Sequence, residues 1–368
     1  MLKLIQRCPA TPCLNLLTMS DEHGDIIQAY GLIGAANGRS GDMMRLIFTL
    51  FVFFVGAAAV HAQRGDIYAD GVLMPSLQKA FDEVKPGGIV RLEPGTYTKG
   101  AILKRGHDGV LITGSAGVVF DGGTVGGKAA FVIQSDNITM EYIKCINMKV
   151  GSANGACIRH ESGNLTLRNV NFSHNENGIL TWGKSNKILI EDSVFEGNGR
   201  AGRSHGMYIT SKQLIVRRTR VIGSKDEGHG IKSRAQNTLI EHSVIASLEG
   251  NDSYLIDIPN GGNAVLRNNL LVEGANTANW YILAYGMEKQ DYPLNNLRLE
   301  KNVIITDREG GSKFLNLHAE MPAPVLRGNV IVGDIDFDWT GNNFFFDKRS
   351  DLKWPAAPAL PDIDLSKK

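Results

Sequence analysis

A chain of 368 residues, 43% of them hydrophobic, has enough material for one large core or two ordinary ones. The formal net charge of +1 gives no electrostatic case for nucleic acid, whose binders usually carry a basic excess, so nucleic acid is set aside as a partner. With 42 glycines against 12 prolines, the composition points to many tight turns rather than to a disordered chain.

The first predicted element is a signal. In "MMRLIFTLFVFFVGAAAVHAQRG", Arg45 precedes an apolar run from Leu46 to Val60, and Val60 and Ala62 fall at the −3 and −1 positions of a cleavage site. This reads as a secretory signal peptide over 43–62, too short for a comfortable membrane span. Residues 1–42 then read as a leader from an early start codon, with an N-terminal anchor as the alternative. The mature chain would begin near Gln63, lack a membrane span, and work as a monomer in the periplasm or outside the cell. It would keep two cysteines, Cys145 and Cys157, and exported proteins can pair such residues. A disulfide and two buried thiols are both open at this stage.

Next comes a helix. "LMPSLQKAFDEVKPGG" places Leu73, Leu77, Ala80, Phe81 and Val84 on one apolar helical face, with Pro75 at the first turn and Pro86-Gly87-Gly88 as the stop. Beyond it the chain repeats. Short apolar strands recur with their third apolar positions at Met140, Leu167, Ile190, Val216, Ile240, Leu266, Leu299 and Leu326, in steps of 27, 23, 26, 24, 26, 33 and 27 residues. Similarity at this period marks a solenoid. The β-branched content and lack of helical period make each repeat a coil of an all-β parallel β-helix over 63–338. Asn137, Asn164, Asn186, Asn237 and Asn263 stand ahead of strands and suit left-handed corners. The unpaired ends of such a stack need covers, which the helix supplies at one end and residues 339–368 at the other, the last of them a loose tail.

The helix, "PGG", a strand and "PGTY" resemble the entry to the pectate-lyase-like right-handed parallel β-helix proteins, and the resemblance extends over about 70–335. It implies the fold more than the activity, since that fold hosts lyases, hydrolases, epimerases and adhesins.

Aligning the coils on Gly155, Gly178, Gly206 and Gly230 gives two outward columns. One reads Cys157, Leu180, Tyr208, Lys232 and Leu255; the other reads Arg159, Trp182, Thr210, Arg234 and Asp257. Tyr208, Lys232, Arg234 and Asp257 would then form a cluster the size of a sugar ring. Two cations on the surface of an exported β-helix suggest an acidic polysaccharide or oligosaccharide. Cleaving a uronate chain by β-elimination needs a cation for the carboxylate, a base for the proton at carbon 5 and an acid for the leaving oxygen. Arg234 suits the first task; Lys232 is the leading base if its pKa falls, and Tyr208, His205 and His229 are further proton-transfer candidates. Arg159, Trp182, Tyr285 and Lys289 are candidate substrate contacts, with Glu288 and Tyr292 walling the cleft from an insertion between Tyr281 and Asn296.

"IKSRAQNTLIEHSVI" resembles the Lys-Ser strand of β-helix lyases that cleave alginate or dermatan-type chains. Lys232 and Ser233 match it, Arg234 replaces a second serine, and Asp257 lies near the position of that family's arginine. The resemblance implies a Ca2+ position ahead of the lysine strand, matched by Glu227 and more loosely by Asp226; the residues themselves require no cofactor. Blander readings stand beside these. Asn154, Asn177, His205 and His229 form a corner ladder by their shared place before each glycine, and alternation turns the two histidines inward. Arg234 and Asp257 could merely pair across coils. A glycoside hydrolase, a uronate epimerase and a non-catalytic carbohydrate-binding or adhesion module remain alternatives. Hydrolysis lacks a second acidic strand and epimerisation lacks its usual "DPHD" strand.

Overall fold

The repeat resolves into stacked coils, each giving one strand to each of three long sheets. The computed structural model describes the backbone of three strands near the N-terminus and residues 64–183 and 185–352. The chain divides into two compact units, 1–59 and 60–368. In the first, Lys3–Ile5, Leu14–Ser20 and Ile26–Leu32 pair antiparallel as a sheet of their own. The signal segment 43–62 and the tail beyond residue 352 lie outside the described residues.

Among the described residues of the second unit the sheets hold 11, 10 and 12 strands, and their strands pair in parallel except where Ile67–Ala69 pairs with its neighbours. Period-2 alternation explains the packing: one side chain of each pair turns inward onto the coil below and above. The third apolar positions, from Met140 to Leu326, are all buried. Two residues after each lies a left-handed corner, at Tyr142, Asn169, Asp192, Arg218, His242, Asn268, Lys301 and Gly328, with φ between 48° and 64°. The corners therefore repeat the sequence period. They are not where the asparagines suggested: of the five residues expected there, only Asn137 has positive φ. Asn164, Asn237 and Asn263 instead pass side-chain hydrogen bonds from coil to coil.

The helix spans Leu77–Glu83, with Ser76 accepting from the Lys79 backbone N–H at 3.1 Å. Leu73 belongs to the preceding strand, Val72–Met74, and is exposed, so it leaves the apolar face assigned to it. Gln78 pairs its amide with both backbone groups of Ile102, at 2.9 and 3.0 Å. Ile102 lies on the edge strand of the 10-stranded sheet, so a side chain satisfies groups that a neighbouring strand would otherwise take. At the other end Trp339 packs on Phe314, Phe337 and Phe345.

Cys145 and Cys157 form a disulfide with Cα atoms 5.9 Å apart, linking the 11-stranded and 10-stranded sheets inside the core. Cys157 thus points inward, not into the outward column the glycine alignment gave it.

Candidate active site

The site lies on the 10-stranded sheet, across Met207–Ile209, Ile231–Ser233, Ile256–Ile258 and Tyr281–Tyr285. Met207, Ile231, Ile256 and Leu283 pair in register and are fully buried. Alternation then turns their neighbours outward, and Tyr208 pairs with Lys232 and Lys232 with Asp257. The column expected from the glycines is therefore revised. Ala156 pairs with Asn177, so Gly178 stands beside Cys157 rather than beside Gly155. One column runs Arg159, Leu180, Tyr208, Lys232, Asp257, while Leu255 is buried in the core.

Around Lys232 the polar groups converge. Its Nζ lies 2.8 Å from Asp257 Oδ2 and 2.7 Å from Glu288 Oε1. Arg234 sits beside it and makes four links. Its Nε donates to the Tyr208 hydroxyl at 2.9 Å, one terminal nitrogen donates to Asn260 Oδ1 at 2.6 Å, and the other donates to Glu288 Oε2. Its carbonyl accepts from the Tyr292 hydroxyl at 2.8 Å. Lys232 Nζ and the Arg234 guanidinium stand 6.0 and 5.5 Å from the Tyr208 ring centre, within cation–π range.

These contacts set the charges. Burial pulls the Lys232 pKa down, but Asp257 and Glu288 outweigh it, and the net direction is upward. Lys232 is held as an ammonium, which overturns the expectation that a neighbouring cation and desolvation would make it a base near neutrality. Burial also works against Arg234, yet Glu288 and Tyr208 hold its pKa up. Glu288 resists burial and is pulled below its ordinary value by both cations. Burial pushes Asp257 up, with Lys232 opposing it, so two cations face two acidic side chains.

The histidines are not proton acceptors ready for use. Both are buried and stack at 4.6 Å, and burial pushes His205 well below its ordinary value. Burial, with the Lys232 charge, takes His229 down to about 3. They form a ladder instead: Asn177 Oδ1 accepts from the His205 backbone N–H at 2.9 Å, and His205 Nδ1 accepts from the His229 backbone N–H at 3.0 Å. Asn154, expected in that ladder, is exposed and outside it. His229 Nε2 is 3.4 Å from Asp257 Oδ2, so the ladder also backs the carboxylate that holds Lys232.

Other assignments separate from this group. Tyr285 is fully buried and its hydroxyl donates to the Gly262 carbonyl at 2.6 Å; it is a core residue and not a substrate contact. Lys289 is exposed on the insertion. Arg159 lies two coils from Tyr208, with its guanidinium 4.9 Å from the Trp182 ring, and Trp182 is 63% exposed. The pair offers a cation and an aromatic face farther along the same sheet. Asp226 and Glu227 are exposed turn residues with positive φ, and no group of three His, Cys, Asp or Glu side chains suited to a metal occurs among the described residues. Sequence reasoning missed Asn260, Asp291 and Tyr254. Asn260 orients Arg234 and donates its side-chain amide to the Asp291 carboxylate, while Tyr254 packs on His229 at 5.2 Å. The available signal was the length of the insertion, which had to fold back over something.

A family model described as a right handed beta helix region matches residues 108–271. Among solved structures, the chain is similar to an alginate lyase from Paenibacillus sp. str. FPU-7, with a TM-score of 0.53 and 16% identity over 74% of this chain and 95% of that one. At that identity the likeness establishes the parallel β-helix and nothing finer. No curated protein matches the chain.

Proposed function

We propose that this chain is an exported polysaccharide lyase that cleaves a uronate-containing polysaccharide by β-elimination. The observation that carries the reading is the convergence of Lys232, Arg234 and the Tyr208 hydroxyl on one sheet face, with Arg234 bonded to Tyr208 at 2.9 Å. Elimination needs those three groups together. Arg234 and Lys232 neutralise the uronate carboxylate, which acidifies the proton at carbon 5. Tyr208 is then the group suited to proton transfer, because its hydroxyl stands beside the two cations that hold the carboxylate, 2.9 Å from Arg234 Nε. The proton at carbon 5 passes to Tyr208 and a carbon 4–carbon 5 double bond forms. The bond from carbon 4 to the bridging oxygen breaks, and that oxygen takes the Tyr208 hydroxyl's own proton as it leaves, so the hydroxyl is restored by the carbon 5 proton.

Arg159 and Trp182 suit further sugar units of a bound chain, with Arg159 roughly 10 Å from Tyr208 along the stack at about 4.8 Å per coil. The disulfide supports export, since such bonds persist in oxidising compartments, and so does the signal segment. The test is a panel of acidic polysaccharides, read both for the ultraviolet band of unsaturated uronates and for new reducing ends. Elimination gives the band; reducing ends without it would mean hydrolysis, and silence in both readouts would set aside cleavage of those polymers.

A further inference from the structure

We infer that Glu288 is a built-in occupant of the substrate-carboxylate position, held there by the insertion and displaced when an acidic glycan binds. The inference rests on the reading of the Lys232–Arg234 pair as the uronate site, and it goes further by naming what fills that site at rest.

The arrangement is that of a ligand. One Glu288 oxygen takes a hydrogen bond from Lys232 Nζ at 2.7 Å, and the other takes one from Arg234. A single planar carboxylate thus spans both cations, one oxygen to each, as a uronate carboxylate would. The two cations are largely covered, with side-chain exposures of 10% and 20%, while Glu288 is 46% exposed. Solvent therefore reaches the acid before it reaches the cations. An incoming carboxylate can replace Glu288 without leaving an uncompensated buried charge, because Asp257 stays on Lys232 throughout and one carboxylate takes the place of another.

The segment carrying Glu288 is attached in a way that allows this. It leaves the sheet at Gly286, whose φ of 75° lies in the region that favours glycine. Its far end is fixed, with Asn295 accepting from the Gly262 backbone N–H at 2.8 Å and Tyr292 bonded to the Arg234 carbonyl. Near its start, the backbone N–H groups of Glu288 and Lys289 both rest on one carbonyl, that of Pro259, at 3.0 and 3.1 Å. The Gly286 N–H stays on the Ile258 carbonyl, and the hydrogen bond from Gln290 Nε2 to the Gly286 carbonyl at 3.0 Å lies within the segment. The other anchors lie at Asp291 and beyond, so swinging Glu288 out costs the shared Pro259 contact and the two ion pairs, which the substrate carboxylate replaces.

The experiment compares binding by calorimetry in a Tyr208→Phe background, with and without Glu288→Gln, so that turnover does not interfere. The probes are tetrasaccharides of alginate and of galacturonate, with cellotetraose as the neutral control. If the open state is about a tenth populated, removing the competing charge tightens acidic binding about tenfold and leaves the neutral probe unaffected. Hydrogen exchange over 286–290 should rise when the acidic probe saturates the Glu288-containing protein. Equal or weaker acidic binding after Glu288→Gln, with exchange unchanged or slowed, would make Glu288 a structural counter-ion and overturn the inference while leaving the lyase reading intact. Tighter acidic binding with no unsaturated product from the Tyr208-containing enzyme would sink the lyase reading instead. No acidic binding by either form would remove both.

Discussion

Two buried acidic regions lie close together in this solenoid and differ in what opposes their burial. Asp257 is buried in the site, yet one of its oxygens lies 2.8 Å from an ammonium and 3.4 Å from an imidazole. A few residues earlier in the same coil, Asp252 is also buried, and Glu273 lies buried one coil on; none of their four carboxylate oxygens has a hydrogen-bond partner. Burial raises Asp252 to about 7 and, with help from the Asp252 charge, raises Glu273 to about 9. The difference teaches where charge can be kept in a stack of apolar coils. Burial raises Asp257 as well, but there Lys232 opposes the rise; at the corner burial goes largely unopposed, and the acids hold their protons. The group around Lys232 is therefore a place where a second carboxylate is welcome, and the Asp252–Glu273 corner is not.

Removing Lys232 should turn the first region into a copy of the second. Lys232→Ala leaves Asp257 buried without its cation and should cost about 3–5 kcal/mol of stability, measured by denaturant unfolding. Adding Asp257→Ala should recover most of that loss; no recovery would mean that packing, not charge, sets the cost. The histidine ladder gives a smaller effect. His205→Ala strands the His229 backbone N–H and should cost about 1–3 kcal/mol, whereas His205→Asn keeps an acceptor, as Asn177 does one coil earlier, and should cost little. A large loss of activity in the asparagine variant at unchanged stability would give His205 a chemical role that its burial argues against.

The acid corner gives an effect that depends on pH. The folded values of Asp252 and Glu273 stand above their ordinary 3.8 and 4.5, so the folded chain keeps protons that the unfolded chain releases. The stability from this pair is complete below about pH 4 and is lost as pH rises toward about 9. Glu273→Gln should flatten the fall in melting temperature over that range. An unchanged slope would show that the corner is ionised and compensated in solution.

Much of the fold was legible because it follows from local patterns. The step sizes read from the apolar positions reappear in the left-handed corners, since each corner sits two residues past a buried side chain. The cluster of Tyr208, Lys232, Arg234 and Asp257 was also legible, because two loaded strands in consecutive repeats must become neighbours. What failed depended on register and on distant chain. Gly155 looked equivalent to Gly178 but sits two residues out of phase, which misplaced Cys157 and Arg159, and a second slip past Gly230 misplaced Leu255 and Asp257. Lys232 looked tunable to a base because Arg234 was its visible neighbour; the carboxylates that reverse the shift come from the next coil and from an insertion 56 residues away. Tyr285 looked available because it stands at the insertion's edge, but its strand parity turns it inward.

The most direct test of the central claim is the rate of unsaturated-uronate formation by the Tyr208→Phe variant, on whichever acidic polysaccharide the wild-type protein cleaves. Loss of the hydroxyl should lower that rate by about 10²–10⁴-fold, the usual worth of positioned proton transfer, with little change in melting temperature. A variant as fast as the wild type would contradict the assignment of proton transfer to Tyr208 and, with it, this account of the site.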